Sequence, residues 1–407
     1  MVDTPPVPPS PVRERGYASD TTATSWWTDL THETTPELRW PLSIDVFDRM
    51  RRQDAQVSSV LRAVTSPIIR TQWRVDGRGC DDAVTQFVAT NLGLPIVDAD
   101  PADDSRAQLR GRDRFSWDDH LRLALLMLPF GHMFFEQVYR YDEDTAKFRL
   151  RKLGPRLPRT IAAINVARDG GLMSIQQYDG ASGAAGATLA VSRLVAYVLD
   201  REGGNWLGQS LLRSAYKNWL LKDRALRTWS TSIERNGIGI PKYKAALTET
   251  DLTAGQQLAS DLRAGDNSGL AMPNGADMEL MGVSGTLPDI DKFVRYQDEQ
   301  IARAVLAHFL NLGTQTGSWA LGSTFADFFT LSLQAVAEEV RDTATRHIVE
   351  DLVDINFGPS VPAPQIVFDE IGSRMSELDR VREAAGLSSD ADLVKYLRSI
   401  PATREAA

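Results

Sequence analysis

Residues 209–235, QSLLRSAYKNWLLKDRALRTWSTSIER, decide the reading of the fold. Leu211, Leu212, Ala215, Tyr216, Trp219, Leu220, Leu226, Trp229 and Ile233 recur at helical spacing, and no Gly or Pro interrupts them. The pattern predicts one helix of ~40 Å. Ser210 is placed to cap its start, and Asn236-Gly237 to stop it. Its charge is lopsided: Arg213, Lys217, Lys222, Arg224, Arg227 and Arg235 stand against Asp223 and Glu234.

Downstream, 238–245 reads as a strand and 250–262 as a helix. Two short strands, 269–272 and 278–283, are expected around the Asn274-Gly275 turn. Together 237–285 form a compact α/β insertion. A second long helix is expected over 288–310. A Gly/Thr/Ser-rich break, 311–324 (NLGTQTGSWALGST), follows it and carries no charge. A third long helix, 325–357, a last strand at 366–368 and two short helices, 372–384 and 389–398, close the chain.

Upstream, 1–39 is a flexible arm with polyproline character. Trp26 and Trp27 anchor it on its own domain or on a neighbouring subunit. Residues 43–64 read as one helix capped by Ser43, and 68–75 as a strand ended by Asp76-Gly77. Short helices are expected at 83–92 and 117–128, an acidic loop at 95–113, and a hairpin of strands 132–141 and 148–153. Over 160–200 a small antiparallel β region is expected.

The chain has 407 residues, 43 % hydrophobic and 24 % charged, which is globular composition with room for two or three domains. The longest uncharged apolar run, 123–130, is far short of the ~20 residues that cross a bilayer. MVDTPPVPPSPVRERG lacks the features of a secretory signal. One cysteine, Cys80, excludes a disulfide framework within a chain and fits a reducing compartment. Net charge is −9, which argues against a static grip on DNA but suits a surface along which DNA slides.

Catalytic signatures are missing. There is no Gly-Lys-Ser/Thr phosphate loop, no G-x-G-x-x-G and no G-x-S-x-G elbow. His132 and Glu136 would share a strand face without converging on a metal. Asp98–Asp104 lacks the pattern of a calcium loop. The reading is of a non-enzyme without cofactor or metal.

Six stretches in order resemble bacteriophage portal proteins of the Mu-like group. They are Asp54-Ala55-Gln56-Val57 with Trp73-Arg74-Val75; Phe130-Gly131 to Glu136; Leu207-Gly208-Gln209-Ser210-Leu211-Leu212-Arg213 with Trp219 and Lys222; Arg235 to Pro241; Met272-Pro273-Asn274-Gly275 with Tyr296 to Leu306; and Ala320-Leu321-Gly322-Ser323. The likeness covers roughly 40–357. Ala307-His308 stands where relatives often have Gly-Gln.

The resemblance implies an α+β portal fold with a wing (40–205 and 325–370), stem helices (206–236 and 286–310), a clip (237–285), a tunnel loop (311–324) and a short crown (371–407). It implies a homo-oligomeric ring, about twelve copies, at one capsid vertex of the virion, assembled in the host bacterial cytoplasm. Double-stranded DNA would pass through it during packaging and ejection. Partners would be the terminase large subunit, a head–tail connector and the major capsid protein, with no membrane. Gly313, Thr314, Gln315, Thr316, Gly317, Ser318 and Trp319 would face DNA. Arg213, Lys217, Trp219, Lys222, Arg224 and Arg227 would mark the stem, their cations a solvated face or intersubunit ion pairs. Pro241, Lys242, Lys244, Asn274 and Gly275 would mark the clip. Another minor head component, or a metal-dependent nucleic-acid enzyme, are the alternatives.

Overall fold

The computed structural model describes residues 18, 33–99, 115–180, 183–238, 240–247, 250–262, 271–281, 289–305 and 319–371, with backbone alone at 185, 234–238 and 319–327. In chain order these form α1 (Leu42–Gln53), α2 (Ala55–Arg70), β1 (Trp73–Asp76), α3 (Asp82–Leu92), α4 (Trp117–Ala124), α5 (Met127–Phe130), β2 (His132–Asp142) and β3 (Lys147–Arg156). There follow β4 (Ile161–Val166), β5 (Leu172–Tyr178), β6 (Ala185–Ala190), β7 (Leu194–Val198), α6 (Tyr216–Ile238), β8 (Ile240–Lys244), α7 (Thr253–Asp261) and β9 (Asp277–Met281). Last come α8 (Ile290–Ala304), α9 (Trp319–Ala344), a π-helical stretch Thr345–Val349, α10 (Glu350–Phe357) and β10 (Gln365–Phe368). The fold is α+β. The chain divides into two compact units, 1–65 with 111–329 and 66–110 with 330–407.

The first unit holds two three-stranded antiparallel sheets, ordered β3-β2-β7 and β4-β5-β6. Phe134 of β2 packs with Ile161, Ile175, Leu189, Leu194 and Val198, so one core joins both sheets. A second core gathers Ile44, Phe47 and Met50 of α1, Val57 of α2, Phe130, Leu212, Ala215, Tyr216 and Ile301. It seats the start of α6 and the end of α8 on α1.

In the second unit, β1 and β10 form an antiparallel ladder from Trp73↔Phe368 to Asp76↔Gln365. Arg74 reaches Asp369 at 2.5 Å. Phe87 of α3 meets Phe357 of α10 edge to face, centroids 5.5 Å apart. Asp81 caps α3 by accepting from the Ala83 amide.

Several expected boundaries move. The helix expected over 43–64 is two helices, because Asp54 adopts extended backbone (φ −100°, ψ 122°) between them. Ser43 lies inside α1 and is buried, so it is not a cap. The expected strand 68–75 is half right: 73–75 lie in β1, but 68–70 are the end of α2, where burial of Ile68 in the helix overrides the β preference of Ile68-Ile69. The long helix starts at Tyr216, seven residues after its expected start, and runs on through Asn236-Gly237 to Ile238. The expected helix 117–128 breaks after Ala124. Residues 271–272 are not a strand: β9 pairs with β8 instead. The third helix begins at Trp319, so 319–324 of the expected loop is helical. Of the expected flexible arm, 33–39 is folded: Pro36–Leu38 form a 3-10 turn and Leu38 is buried in the α1 core. Residues 1–32 (Ala18 apart), the acidic stretch from 100, Gly313–Ser318 and the closing helices lie outside the described residues.

Candidate functional site

The segment before α6 explains the Leu207-Gly208-Gln209-Ser210-Leu211 wording. Ser210 Oγ donates to the Pro129 carbonyl at 2.6 Å and accepts from the Leu212 amide at 3.1 Å. It therefore fastens a turn to α5 rather than capping α6. The Leu211 amide donates to Leu128 O, and Gln209 to Leu199 O. His132 Nδ1 donates to Leu207 O at 2.9 Å. Gly208 sits at φ +63°, where a Cβ would lie 2.3 Å from Gly131 O and 2.6 Å from Leu199 O. Gly208→Ala should therefore cost about 2–3 kcal/mol from backbone strain, read as a lowered urea midpoint.

Held there, α6 pairs with α8. Ile301 shares a core with Leu212 and Ala215, and Asn218 Nδ2 donates to Gln297 Oε1 at 2.7 Å. From Leu212 and Ala215 to Asn218 the neighbour on α8 falls from Ile301 to Gln297, so the helices are antiparallel. Lys222 lies in this seam, its side chain 9 % exposed. Its ammonium is 2.9 Å from Asp54 and 2.6 Å from Asp298. Burial works to lower its pKa, but hydrogen bonds to Asp298 and Asp54 outweigh that and hold it above the ordinary lysine value.

Residues 215, 219, 222, 226, 229 and 233 form a stripe spaced alternately four and three apart. Its lower half is covered by the chain's own core. Its upper half is not: Leu226 is 41 % exposed and Ile233 59 %. On α8, Phe293 and Tyr296 share a face and are 43 % and 53 % exposed.

Beyond the helices, β8 and β9 pair with Lys242 opposite Glu279 and Lys244 opposite Asp277. Opposite charges thus face each other on one face. Tyr243 turns to the other face, against α7 at Gly255, where a Cβ would strike its ring at 2.1 Å. Gly255→Ala should separate α7 from β8, read as lost amide protection in both. Gly275 has φ +90° in the turn closed by the Ala276 amide on Pro273 O. Asn274-Gly275 thus makes a turn, but leads into β9 only.

The remaining expected site residues scatter. Arg213 precedes α6 and grips Glu33 at 2.5 and 2.8 Å. Burial works to raise the Glu33 pKa, and Arg213 overcomes it. Trp219 packs half-buried on the α1 core. Lys217 and Arg224 are exposed, and Arg227 pairs with Asp223 at 2.8 Å. Trp319 opens α9. Sequence reasoning missed the burial of Lys222, although its place on the apolar stripe was a usable sign.

Two histidines are fully buried structural groups. His120 shares a 2.8 Å hydrogen bond with the Tyr197 hydroxyl. Burial lowers its pKa to about 3. Burial also lowers His132 to about 4, against the raising effect of its bond to Leu207. Glu136 pairs instead with Arg156 and Arg193. Among the described residues, no group of three His, Cys, Asp or Glu is placed to hold a metal, and no helix is long and apolar enough to cross a membrane.

The fold is shared with chains from virion necks. It is similar to a chain in the neck of an empty GTA particle, at 14 % identity and TM-score 0.55, covering 88 % of this chain and 94 % of that one. A chain in the neck of the native GTA particle, computed with C12 symmetry, gives 13 % identity and TM-score 0.54 over 88 % and 94 %. An HK97 family phage portal protein from Corynebacterium diphtheriae aligns at 12 % identity and TM-score 0.44, over 85 % and 95 %. Residues 44–395 match the family described as the portal protein of Mu bacteriophage. With that span, most of the sequence, the chain belongs to the Mu-type phage portal protein family.

Proposed function

We propose that this portal protein assembles into a closed ring of about twelve copies at one capsid vertex, and that double-stranded DNA enters and leaves the virion through it. The observation that carries the ring is the pair of uncovered apolar faces, Leu226 and Ile233 on α6 and Phe293 and Tyr296 on α8. Two unpaired apolar faces on one antiparallel helix pair suit a head-to-tail interface that closes on itself. The C12 symmetry of the similar GTA neck supports the number.

In this reading α6 and α8 are stem helices, and β8, α7 and β9 belong to the clip, which docks the terminase large subunit and later the head–tail connector. Residues 311–318, with the first turn of α9, form the tunnel loop. Residues 40–205 and 325–370 form the wing, against the major capsid protein, and 371–407 the crown. The role is structural, not catalytic, in a virion component assembled in the host cytoplasm.

Ile233→Asp with Phe293→Asp should shift particles from rings toward monomers while helix content stays unchanged; rings that persist in full would remove these faces from the interface. Deleting 314–318 should leave rings intact but impair DNA packaging or retention. Normal packaging by such a ring would end the tunnel-loop assignment.

A further inference from the structure

Asp54 does two tasks with one carboxylate. It ends α1, and its Oδ1 caps α2 by accepting from the amides of Gln56 at 2.9 Å and Val57 at 3.1 Å. The same Oδ1 accepts from Lys222 Nζ at 3.0 Å, and Oδ2 lies 2.9 Å from that nitrogen. Lys222 is also bound by Asp298 of α8 at 2.6 Å. One buried ammonium thus ties three elements together: α6 carries it, α8 supplies one carboxylate, and the start of α2 depends on the other. Asp298 is bonded to Lys222, and neither Gln56 nor Val57 is among its partners.

We propose that Lys222 is a positioning residue that couples the α6–α8 pair to the first turn of α2 through the shared carboxylate of Asp54. A displacement of either paired helix alters how much of the Asp54 charge remains for the two amides. When Asp298 is lost, Lys222 has Asp54 as its one anionic partner among the described residues and draws Oδ1 away from the cap. When Asp54 is neutralised, α8 feels the change in turn, since coupling between two sites is reciprocal. The consequence for a ring rests on the reading of α6 and α8 as stem helices: motion along the channel wall would reach the α1–α2 junction inside one subunit.

Hydrogen exchange on the full chain tests this with isosteric changes. Asp298→Asn should speed exchange at the Gln56 and Val57 amides about tenfold, the scale of a weakened helix cap. Asp54→Asn should speed exchange in the turn of α8 around Asp298. Asn218→Ala serves as the control, because it cuts the hydrogen bond to Gln297 in the same seam and does not touch Lys222. It should leave Gln56 and Val57 unchanged. In a Lys222→Met background, Asp298→Asn should add nothing at α2, the non-additivity that a shared partner requires.

Unchanged exchange at Gln56 and Val57 in Asp298→Asn overturns the proposal. So does an equal effect from Asn218→Ala, which would mean general loosening of the seam. So does an undiminished effect of Asp298→Asn in the Lys222→Met chain. Should Lys222→Met fail to fold, the two Asn variants and the Asn218 control decide alone. Particle mass on the same samples keeps the ring reading separate: a monomer would remove that reading and leave the exchange result standing.

Discussion

Lys222→Met is expected to lower the free energy of unfolding by about 3–5 kcal/mol, the cost of removing one partner from a buried ion cluster. Methionine fits the volume of the lysine stem, so the loss is electrostatic. It leaves Asp54 and Asp298 at the same buried seam, two like charges with their shared cation gone. The exposed Lys217→Met, on the same helix, should stay within about 0.5 kcal/mol. Urea unfolding followed by circular dichroism at neutral pH separates the two. Equal midpoints for both variants would show that the buried triad adds nothing. Because the Lys222 pKa is raised on folding, its contribution is intact at neutral pH and is lost only as pH rises through that raised pKa.

The second large effect is acid lability. His120 and His132 have folded pKa values of about 3 and about 4, each lowered mainly by burial. In the unfolded chain each titrates near the ordinary histidine value of about 6.5. Between these values the unfolded state binds more protons, so stability rises with pH and is complete above about 6.5. Lowering the pH from 7 to 5 should remove on the order of 3–4 kcal/mol from the two sites together. The physical cause is visible at His132: the Leu207 carbonyl can only accept, so Nδ1 carries the proton. Nε2 is buried and finds no partner among the described residues, so a second proton there has nothing to donate to. Urea midpoints at pH 7 and pH 5 measure the effect. A midpoint that stays level between them would mean that these rings are hydrated or partnered.

Much of the architecture was legible because it follows from periodicity. The stripe on α6, the β2–β3 hairpin and the strand after α6 all sit near their expected places. The errors have local physical causes. The pattern of Ile44, Phe47, Met50, Val57 and Val60 continues across Asp54, so the α1–α2 break left no gap in the apolar spacing. It is a capping event tied to Lys222, nearly 170 residues away. Ser210 carried a genuine signal, but for a turn docked on Pro129, not for the helix beginning at Tyr216. Asn236-Gly237 has turn chemistry, yet α6 continues through it.

The candidate site was legible in a different way. The order of motifs pointed to the portal family, and the family match over 44–395 agrees. The roles within the site were less legible, because Arg213, Lys217, Lys222, Arg224 and Arg227 look alike in sequence. In the structure they are a clamp on Glu33, two exposed cations, a buried tie and a pair with Asp223. Only a lysine interrupting an apolar stripe differs in pattern from its neighbours.

The central claim, a closed ring built on the uncovered faces of α6 and α8, is tested most directly by native mass measurement with electron microscopy of the purified full chain. Closed rings of about twelve copies around an open channel are the expected result. A uniform monomer at tens of micromolar, still monomeric when co-expressed with the major capsid protein, would contradict it.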